Sequence, residues 1–330
     1  MKIAVVILNW NGKSLLEQFL PSVVQHSDDA HIYMADNAST DDSVAFVTET
    51  YPQVRILQNK ENGGYAKGYN DALKDLTEDL FVLLNSDVEV TQGWLSPIVS
   101  EFEKDPSLAA AQPKILDYKN KSYFEYAGAG GGFIDRLGYP YCRGRIFDTL
   151  EQDEGQYDDV IPIFWATGAC LFVSREAFWN VGGLDEDLFA HQEEIDLCWR
   201  MQSRGGIVKY VGTSTVYHVG GATLAAAHPK KTFYNFRNSL LILLKNVKGF
   251  AAWRRIFIRM LWDGLAGMMF LLQGKPKHFI AVIKAHFSFY ALIPKFVGKR
   301  KKWASGLSYA TIKSIVWKYF IAKKRNFNNL

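Results

Sequence analysis

The sequence predicts an α/β fold: a mostly parallel central sheet with helices on both faces, followed by a basic, amphipathic helical region. Three observations predict it. Strand-like and helix-like segments alternate through the first 112 residues, which implies βαβ units. Polar residues suited to chemistry, among them Asn9, Asp36 and Asp87, follow the apolar runs, where right-handed crossovers gather the strand ends on one rim. Charge is divided along the chain: residues 229–330 hold 21 Lys and Arg against one acid, Asp263, a net +20, so the preceding residues carry −16 of the overall +4.

The elements follow in order. Residues 3–8 are a six-residue apolar run before Asn9, too short for a signal-peptide core and suited to a first buried strand. Residues 14–25 place Leu15, Leu16, Phe19, Leu20, Val23 and Val24 at helical spacing. Strands are expected at 31–35, 54–57, 80–84 and 108–112, with helices at 41–49, 65–76 and 94–102 between them. Beyond Lys114 the alternation stops. The stretch to about residue 160 is irregular and rich in Gly and aromatic residues, the profile of a long functional loop. Residues 161–173 read as buried sheet broken at Thr167-Gly168, and 175–181 as a short helix ending at Gly182-Gly183. Glu193-Glu194-Ile195-Asp196 opens another helix.

From Lys230 onward, basic, aromatic and aliphatic residues interleave. The longest apolar stretch, 260–272, is interrupted by Asp263 and falls short of a bilayer span. The expectation is a set of amphipathic helices lying on an anionic membrane surface, with the 298–302 basic cluster and Trp303 as an anchor. The large aliphatics favour a membrane over nucleic acid, and no nucleic-acid partner is expected. The domain expectation is a catalytic unit over 1–228, with a nucleotide-binding half at 1–114 and an acceptor half at 115–228, and a membrane-associating region at 229–330. Three cysteines (Cys142, Cys170 and Cys198) form no paired spacing and fit a reducing compartment.

Five segments carry candidate chemistry. Asp36, at the end of the second strand, can accept from a base N–H or a ribose hydroxyl, while Ser39 to Asp42 suit a helix start. Asn62-Gly63-Gly64-Tyr65-Ala66-Lys67 joins a glycine turn to a helix N-terminus, which favours anions. Asn85-Ser86-Asp87 follows a buried strand, and Asp87 can hold a hard divalent cation that bridges phosphate oxygens. Glu193, Glu194 and Asp196 supply a carboxylate to take a proton from an acceptor hydroxyl. His218 is a lone histidine after a strand, more often structural, although neutral imidazole is a common metal donor.

Taken together, Asn9-Trp10-Asn11-Gly12, Asp36-Asn37-Ala38-Ser39-Thr40-Asp41, Asn62-Gly63-Gly64-Tyr65, Asn85-Ser86-Asp87-Val88, Thr167-Gly168-Ala169, Gly182-Gly183-Leu184-Asp185, Glu193-Glu194-Ile195-Asp196-Leu197 and His218 resemble, in order, the motifs of family 2 glycosyltransferases. The similarity is to the rhamnosyltransferase-like branch that serves bacterial cell-surface polysaccharides, and it covers roughly residues 2 to 222. The resemblance implies a GT-A fold, Rossmann-like in its sheet, and inverting, Mg²⁺- or Mn²⁺-dependent transfer of one sugar from a UDP-, dTDP- or GDP-linked donor. It assigns Leu8, Asn9, Trp10, Asn11, Asp36, Asn62, Gly64, Lys67, Asn85, Ser86 and Asp87 to the donor. Trp165, Thr167 and Gly168 go to the acceptor, and Asp87 and His218 to the metal. The base position, usually Asp in the family, is Glu194 here, with Glu193 and Asp196 as alternatives. The processive Gln-x-x-Arg-Trp signature is absent, which implies single-sugar transfer. The acceptor is expected to be a lipid-linked glycan at the cytoplasmic face of the plasma membrane. Two other readings are a sugar-nucleotide pyrophosphorylase, disfavoured because Asn9-Trp10-Asn11-Gly12-Lys13 replaces a glycine-rich phosphate loop, and a membrane-bound scaffold with a degenerate site.

Overall fold

The computed structural model describes residues 1–220 and 228–330. The expected alternation is present: β1 (Ile3–Asn9), α1 (Lys13–His26), β2 (His31–Asp36), α2 (Ser43–Thr50), β3 (Arg55–Gln58), α3 (Gly64–Leu73) and β4 (Leu80–Asn85). A short β5 (Val88–Val90), α4 (Ser96–Lys104) and β6 (Leu108–Asp117) follow. In the large sheet β3, β2, β1 and β4 run parallel in that spatial order, so the chain reverses its direction of advance beside β1. Such a switch point opens a crevice outside the strand carboxyl ends. Asn9, Asp36 and Asn85 lie at those ends.

β4 reads as one apolar run because both its faces are covered. Phe81 and Leu83 join the core shared with α3 and the C-terminal helices, while Leu80, Val82 and Leu84 join the core under α1 and α4. Beyond β4 the sheet is mixed. β12 (Cys170–Ser174) runs antiparallel between β4 and β6, and β13 (Ile207–His218) pairs parallel with β6. β11 (Val160–Pro162) and β5 pair antiparallel with β13. α5 (Arg175–Asn180) and α6 (Glu193–Gln202) lie between β12 and β13.

The irregular stretch after Lys114 holds a second, four-stranded sheet: β7 (Gly132–Ile134), β8 (Pro140–Cys142), β9 (Arg145–Ile146) and β10 (Thr149–Leu150). Strands of two or three residues leave no period-2 pattern to read. Their fourth side is supplied by the far end of the chain: Ile315 and Tyr319 pack with Tyr141 and Ile146, and the Ile315 N–H donates to Asp135. The expected boundary near residue 114 falls inside β6.

The expected boundary at 229 coincides with the start of a helix that packs into the core. α7 (Pro229–Asn246), α8 (Ala251–Leu272) and α9 (Pro276–Trp303) follow. Leu240, Leu241, Ile242, Leu243 and Leu244 are all fully buried, which marks α7 as a core helix rather than a surface one. Phe289, Phe296 and Trp303 of α9 belong to the same core. α8 and α9 form an antiparallel hairpin, with Gly267 against Phe279 and Asp263 facing His286. Only the outer side of that hairpin has the amphipathic character expected of the whole region.

Candidate active site

Asp87 sits two residues beyond β4. Its Oδ1 lies 3.2 Å from His218 Nε2, at the end of β13. The pairing of His218 with Val88 between β13 and β5 fixes that approach. On the other side, His218 Nδ1 is 3.5 Å from Glu125. All three side chains are buried. Burial opposes charging the imidazole, but the Asp87 and Glu125 carboxylates outweigh it and raise its pKa to about 10. Glu125 was missed by the sequence reading, since it lies in an irregular segment without local signal.

On the opposite wall stands the acidic start of α6. Glu193 is buried with an unpartnered Oε2, and burial beside Glu194 keeps its pKa well above the usual carboxylate range. Glu194 is partly exposed. Desolvation pushes its pKa up to about 7, with backbone N–H groups of the helix start opposing the rise. That is the range of a general base at neutral pH. Asp196, offered as an alternative base, is corrected: it points into the core, fully buried. It accepts from Arg200 at 2.7 Å, Lys245 at 2.8 Å and Asn246 at 2.9 Å.

A short chain of contacts joins the two walls. The Asn85 N–H donates to the Ala169 carbonyl, and the Tyr65 hydroxyl donates to the neighbouring Gly168 carbonyl at 2.8 Å. Tyr65, at the start of α3, is near enough to Glu193 and Glu194 for both carboxyls to raise its pKa, after burial itself. Gly168 thus lies at the junction of the donor turn, the strand ends and the acidic helix. The other acceptor candidates take packing roles. Trp165 is 4% exposed, and its Nε1 donates to Phe133 O. Thr167 is buried, its N–H held by Gln112 and its hydroxyl by the Ala169 N–H.

The donor candidates line one side of the crevice. Asn9 donates to Asp36 and to Ser39, and Asn11 accepts from the Thr40 and Asp41 N–H groups. Asp36 itself is fully buried and accepts from Asn9, the Ser39 N–H and Gln58. Enclosed in this way, it ties the ends of β1, β2 and β3 together rather than facing the crevice. Trp10 is half exposed beside it, and Leu8 faces α3 at Gly68. Gly12 is required here: a Cβ would come 2.5 Å from Asn9 Oδ1, with Ser86 Oγ at 3.9 Å. Asn62 accepts from the Gly64 N–H, whereas Lys67 pairs with Asp71 one helical turn on, an arrangement that leaves it outside the crevice network.

The loop before Glu193 is unusual. Phe189, His191 and Gln192 all have left-handed φ values, of 64°, 68° and 71°. Such backbone persists only where its surroundings dictate it. Here α7 does so. Asn238 donates to the carbonyls of Leu188, Ala190 and His191 at 3.0, 2.9 and 2.7 Å, and Arg237 reaches those of Asp187 and Leu188. Gln192 donates to Asn235 O and Ser239 Oγ. The same loop touches the donor turn: the Tyr65 N–H donates to Phe189 O, and a Cβ on Gly64 would meet that oxygen at 2.9 Å. Arg237 and Asn238 were not found from sequence because their partners are backbone carbonyls of a loop that leaves no pattern.

A family model described as glycosyl transferase family 2 matches residues 4–182. The N-acetylglucosaminyl-diphospho-decaprenol L-rhamnosyltransferase of Mycobacterium tuberculosis is 29% identical over 252 residues, which cover 69% of this chain and 82% of that protein. Among solved structures, GalNAc-T7 with UDP, GalNAc and Mn2+ superposes with a TM-score of 0.60 at 16% identity, over 98% of this chain and 57% of its own. The mannosyltransferase PcManGT from Pyrobaculum calidifontis, in complex with GDP-Man and Mn2+, gives a TM-score of 0.55 at 14% identity, over 88% and 87%. At these identities the two structures establish the sheet and its crevice as a shared GT-A fold.

Replacing Asn238 with Ala strands carbonyls that hold the loop before Glu193. The expected result is a kcat lower by about 10- to 100-fold, the scale of a misplaced catalytic group. Nucleoside-diphosphate affinity, read by calorimetry, should change by less than about twofold.

Proposed function

The chain belongs to glycosyl transferase family 2 and transfers a sugar from a nucleotide sugar, and from that premise we propose an inverting, metal-dependent enzyme that adds one sugar to a hydroxyl of a lipid-linked glycan. The observation that carries the reading is the pairing of two chemistries across one crevice. An Asp–His pair stands at the strand ends, and a single partly exposed carboxylate with a pKa near neutrality stands opposite.

Asp87 and His218 fit a divalent cation that arrives with the donor. On two rigid strand ends Asp87 would offer an oxygen and His218, once the ion displaces its Nε2 proton, a nitrogen. When bound, Mg²⁺ or Mn²⁺ neutralises charge on the departing nucleoside diphosphate. Trp10, Asn11, Asn85 and Ser86 border the space for the nucleotide, whose base (uracil, thymine or guanine) stays open in this reading.

Glu194 accepts the proton of the acceptor hydroxyl as that oxygen bonds to the anomeric carbon and the bond to the diphosphate breaks. Inversion follows from a single displacement. Glu193, neutral and buried, and Asp196, locked among Arg200, Lys245 and Asn246, leave Glu194 as the one carboxylate of this helix start free to act, as base rather than nucleophile.

The rhamnosyltransferase relative is named for an acceptor on a diphospho-decaprenol, and the outer face of the α8–α9 hairpin supports a lipid-linked acceptor here. Phe257, Leu261, Leu265, Met268 and Leu272 form a stripe at three- and four-residue spacing on α8, continued by Ile280, Ile283 and Phe287 on α9. Leu272 is 86% and Phe287 70% exposed. An apolar patch of this kind rimmed by Lys248, Arg254, Lys275, Lys277 and Lys284 suits a bilayer surface with anionic headgroups. α9 is long and apolar enough to cross a membrane, but its Lys295 and Lys299 are paired with Asp187 and Asp185, which favours peripheral attachment. Attachment at the cytoplasmic face of the plasma membrane would bring the site to its acceptor.

Four outcomes test this reading. Glu194→Gln should lower kcat by about 10²- to 10⁴-fold, the range for a lost general base. The base works ionised and its pKa is raised, so wild-type kcat/KM should be flat above pH about 7 and fall as pH drops through that value; a profile level down to the ordinary carboxylate range would remove Glu194 as base. Excess chelator should abolish sugar transfer, with activity restored by Mn²⁺. Because α7 belongs to the core, truncation at residue 229 would unfold the protein. The informative variant is Leu261→Glu combined with Phe287→Glu, which should release the folded enzyme from anionic vesicles in a flotation assay.

A further inference from the structure

Five arginines are buried among the described residues: Arg143, Arg145, Arg200, Arg237 and Arg259. Four have partners that compensate their burial. Arg143 pairs with Asp159, Arg200 with Asp196 and Arg259 with Asp263, while Arg237 donates to the carbonyls of Asp187 and Leu188. Among the described residues Arg145 has no such partner; the Cys142 thiol beside it is held neutral by burial and does not compensate the charge. Arg145 is 8% exposed, no described carboxylate lies within ion-pair distance, and its Nε has no acceptor. Residues 221–227 contain no acid that could serve. An uncompensated buried guanidinium is costly to a fold, and its retention asks for an anion from outside.

Its surroundings say where that anion would sit. The Arg145 guanidinium stacks 4.1 Å from the centre of the Tyr126 ring, and the Lys231 amine lies 5.7 Å from the same centre. Tyr126 is 47% exposed, so the ring on which the buried guanidinium and the partly buried amine gather reaches solvent. Lys231 is partly buried in the first turn of α7, and no described carboxylate lies within ion-pair distance of it; burial lowers its pKa, the Glu125 carboxylate opposes that fall, and Arg145 adds to it. Tyr126 directly follows Glu125, the residue that separates His218 from this group. The cations therefore lie beyond Glu125, away from Asp87. They lie toward the loop that carries the base: Lys231 is close enough to depress His191, three residues before Glu194, after burial has done so, and His191 Nε2 is also unpartnered.

We propose that Arg145 and Lys231, gathered on Tyr126, form an anion subsite for the phosphate of the acceptor, so that the acceptor is a sugar carried on a diphosphate. This rests on the glycosyltransferase reading above and extends it to the acceptor's chemistry. A guanidinium offers paired donors that match phosphate oxygens, and the amine adds a point charge. Donor and acceptor phosphates would be held on opposite sides of Glu125, whose negative charge keeps the two anions apart. The acceptor's sugar would then extend from the cation pair toward Glu194.

The test is calorimetric titration of inorganic pyrophosphate into wild-type protein and Arg145→Gln, each saturated with a nucleoside diphosphate and with Mn²⁺ in excess over both. The variant should bind pyrophosphate more weakly by about tenfold or more, the loss of one charge-assisted hydrogen bond. Its nucleoside-diphosphate affinity should hold within about twofold. Its Tm should stay level or rise, because a buried charge without a partner has been removed. Unchanged pyrophosphate affinity would overturn the subsite, and a lower Tm with unchanged affinity would do so by making Arg145 a packing residue. A parallel fall in nucleoside-diphosphate affinity would assign the cations to the donor and overturn the acceptor assignment. If wild-type protein bound no nucleoside diphosphate, the donor reading would fail instead, and the same comparison with nucleotide omitted would still decide the subsite.

Discussion

The buried ion cluster at Asp196 is the constraint on which the rest depends. Burial alone would raise the pKa of this carboxyl, yet Lys245 and Arg200 hold it well below the usual range. The cluster continues outward through Asp185 to Lys245 and Lys299, and through Asp187 to Lys295 and Lys299. One end is the inward side of the first turn of the helix that begins with Glu193 and Glu194; the other is the pair of C-terminal helices α7 and α9. Removing one member would leave a buried charge alone, a loss of about 3–5 kcal/mol, comparable to much of a domain's net stability. The chemistry of the acidic helix is thereby tied to residues fifty and a hundred positions later.

This arrangement explains the division of labour within Glu193-Glu194-Ile195-Asp196. Three acids at a helix start look alike in sequence, but the helical turn separates them. Asp196 faces inward to its cations, Glu193 is enclosed without any, and Glu194 reaches the cleft. Burial without a cation makes Glu193 neutral, whereas partial exposure and helix N–H groups leave Glu194 titrating near neutrality. The strained 189–192 backbone, held by Arg237 and Asn238, then fixes where that carboxylate stands relative to the donor turn at Gly64.

What the sequence made legible was whatever depends on local period or on strand position. β1 to β4 and α1 to α4 were found within a few residues, because apolar spacing is set by the same burial that forms them. Asp87 and His218 were singled out because strand ends face a crevice and because the motifs recur in order, and the fold sets the two side chains 3.2 Å apart. Several features were not legible. The small sheet β7–β10 has strands too short for a pattern. Asp36 and Trp165 occupy the expected positions, but only packing reveals that both are enclosed. The composition of residues 229–330 suggested a separate membrane region, since basic and aliphatic residues interleave in the same way whether their apolar side meets lipid or a protein core. α7 meets the core, and the outer face of α8–α9 is free.

The same ambiguity frames the partners. A basic surface can serve fold, membrane or substrate, and the ion pairs divide its members. Lys245, Lys295 and Lys299 are spent on Asp185, Asp187 and Asp196; the Lys and Arg around the hairpin's apolar face are exposed; Arg145 and Lys231 have no carboxylate within ion-pair distance among the described residues. Net charge alone could not make that division, because it counts all three groups equally.

The central claim is that the acidic helix and the C-terminal helices are one cooperative unit with the nucleotide-binding sheet. Native-state hydrogen exchange tests it most directly. The account predicts that the slowest amides of α6 and α7 open with the same free energy as those of β1 and β4, in a single global event. Opening of α7 at a distinctly lower free energy, with α6 and the sheet still protected, would contradict it and return residues 229–330 to the status of an appendage.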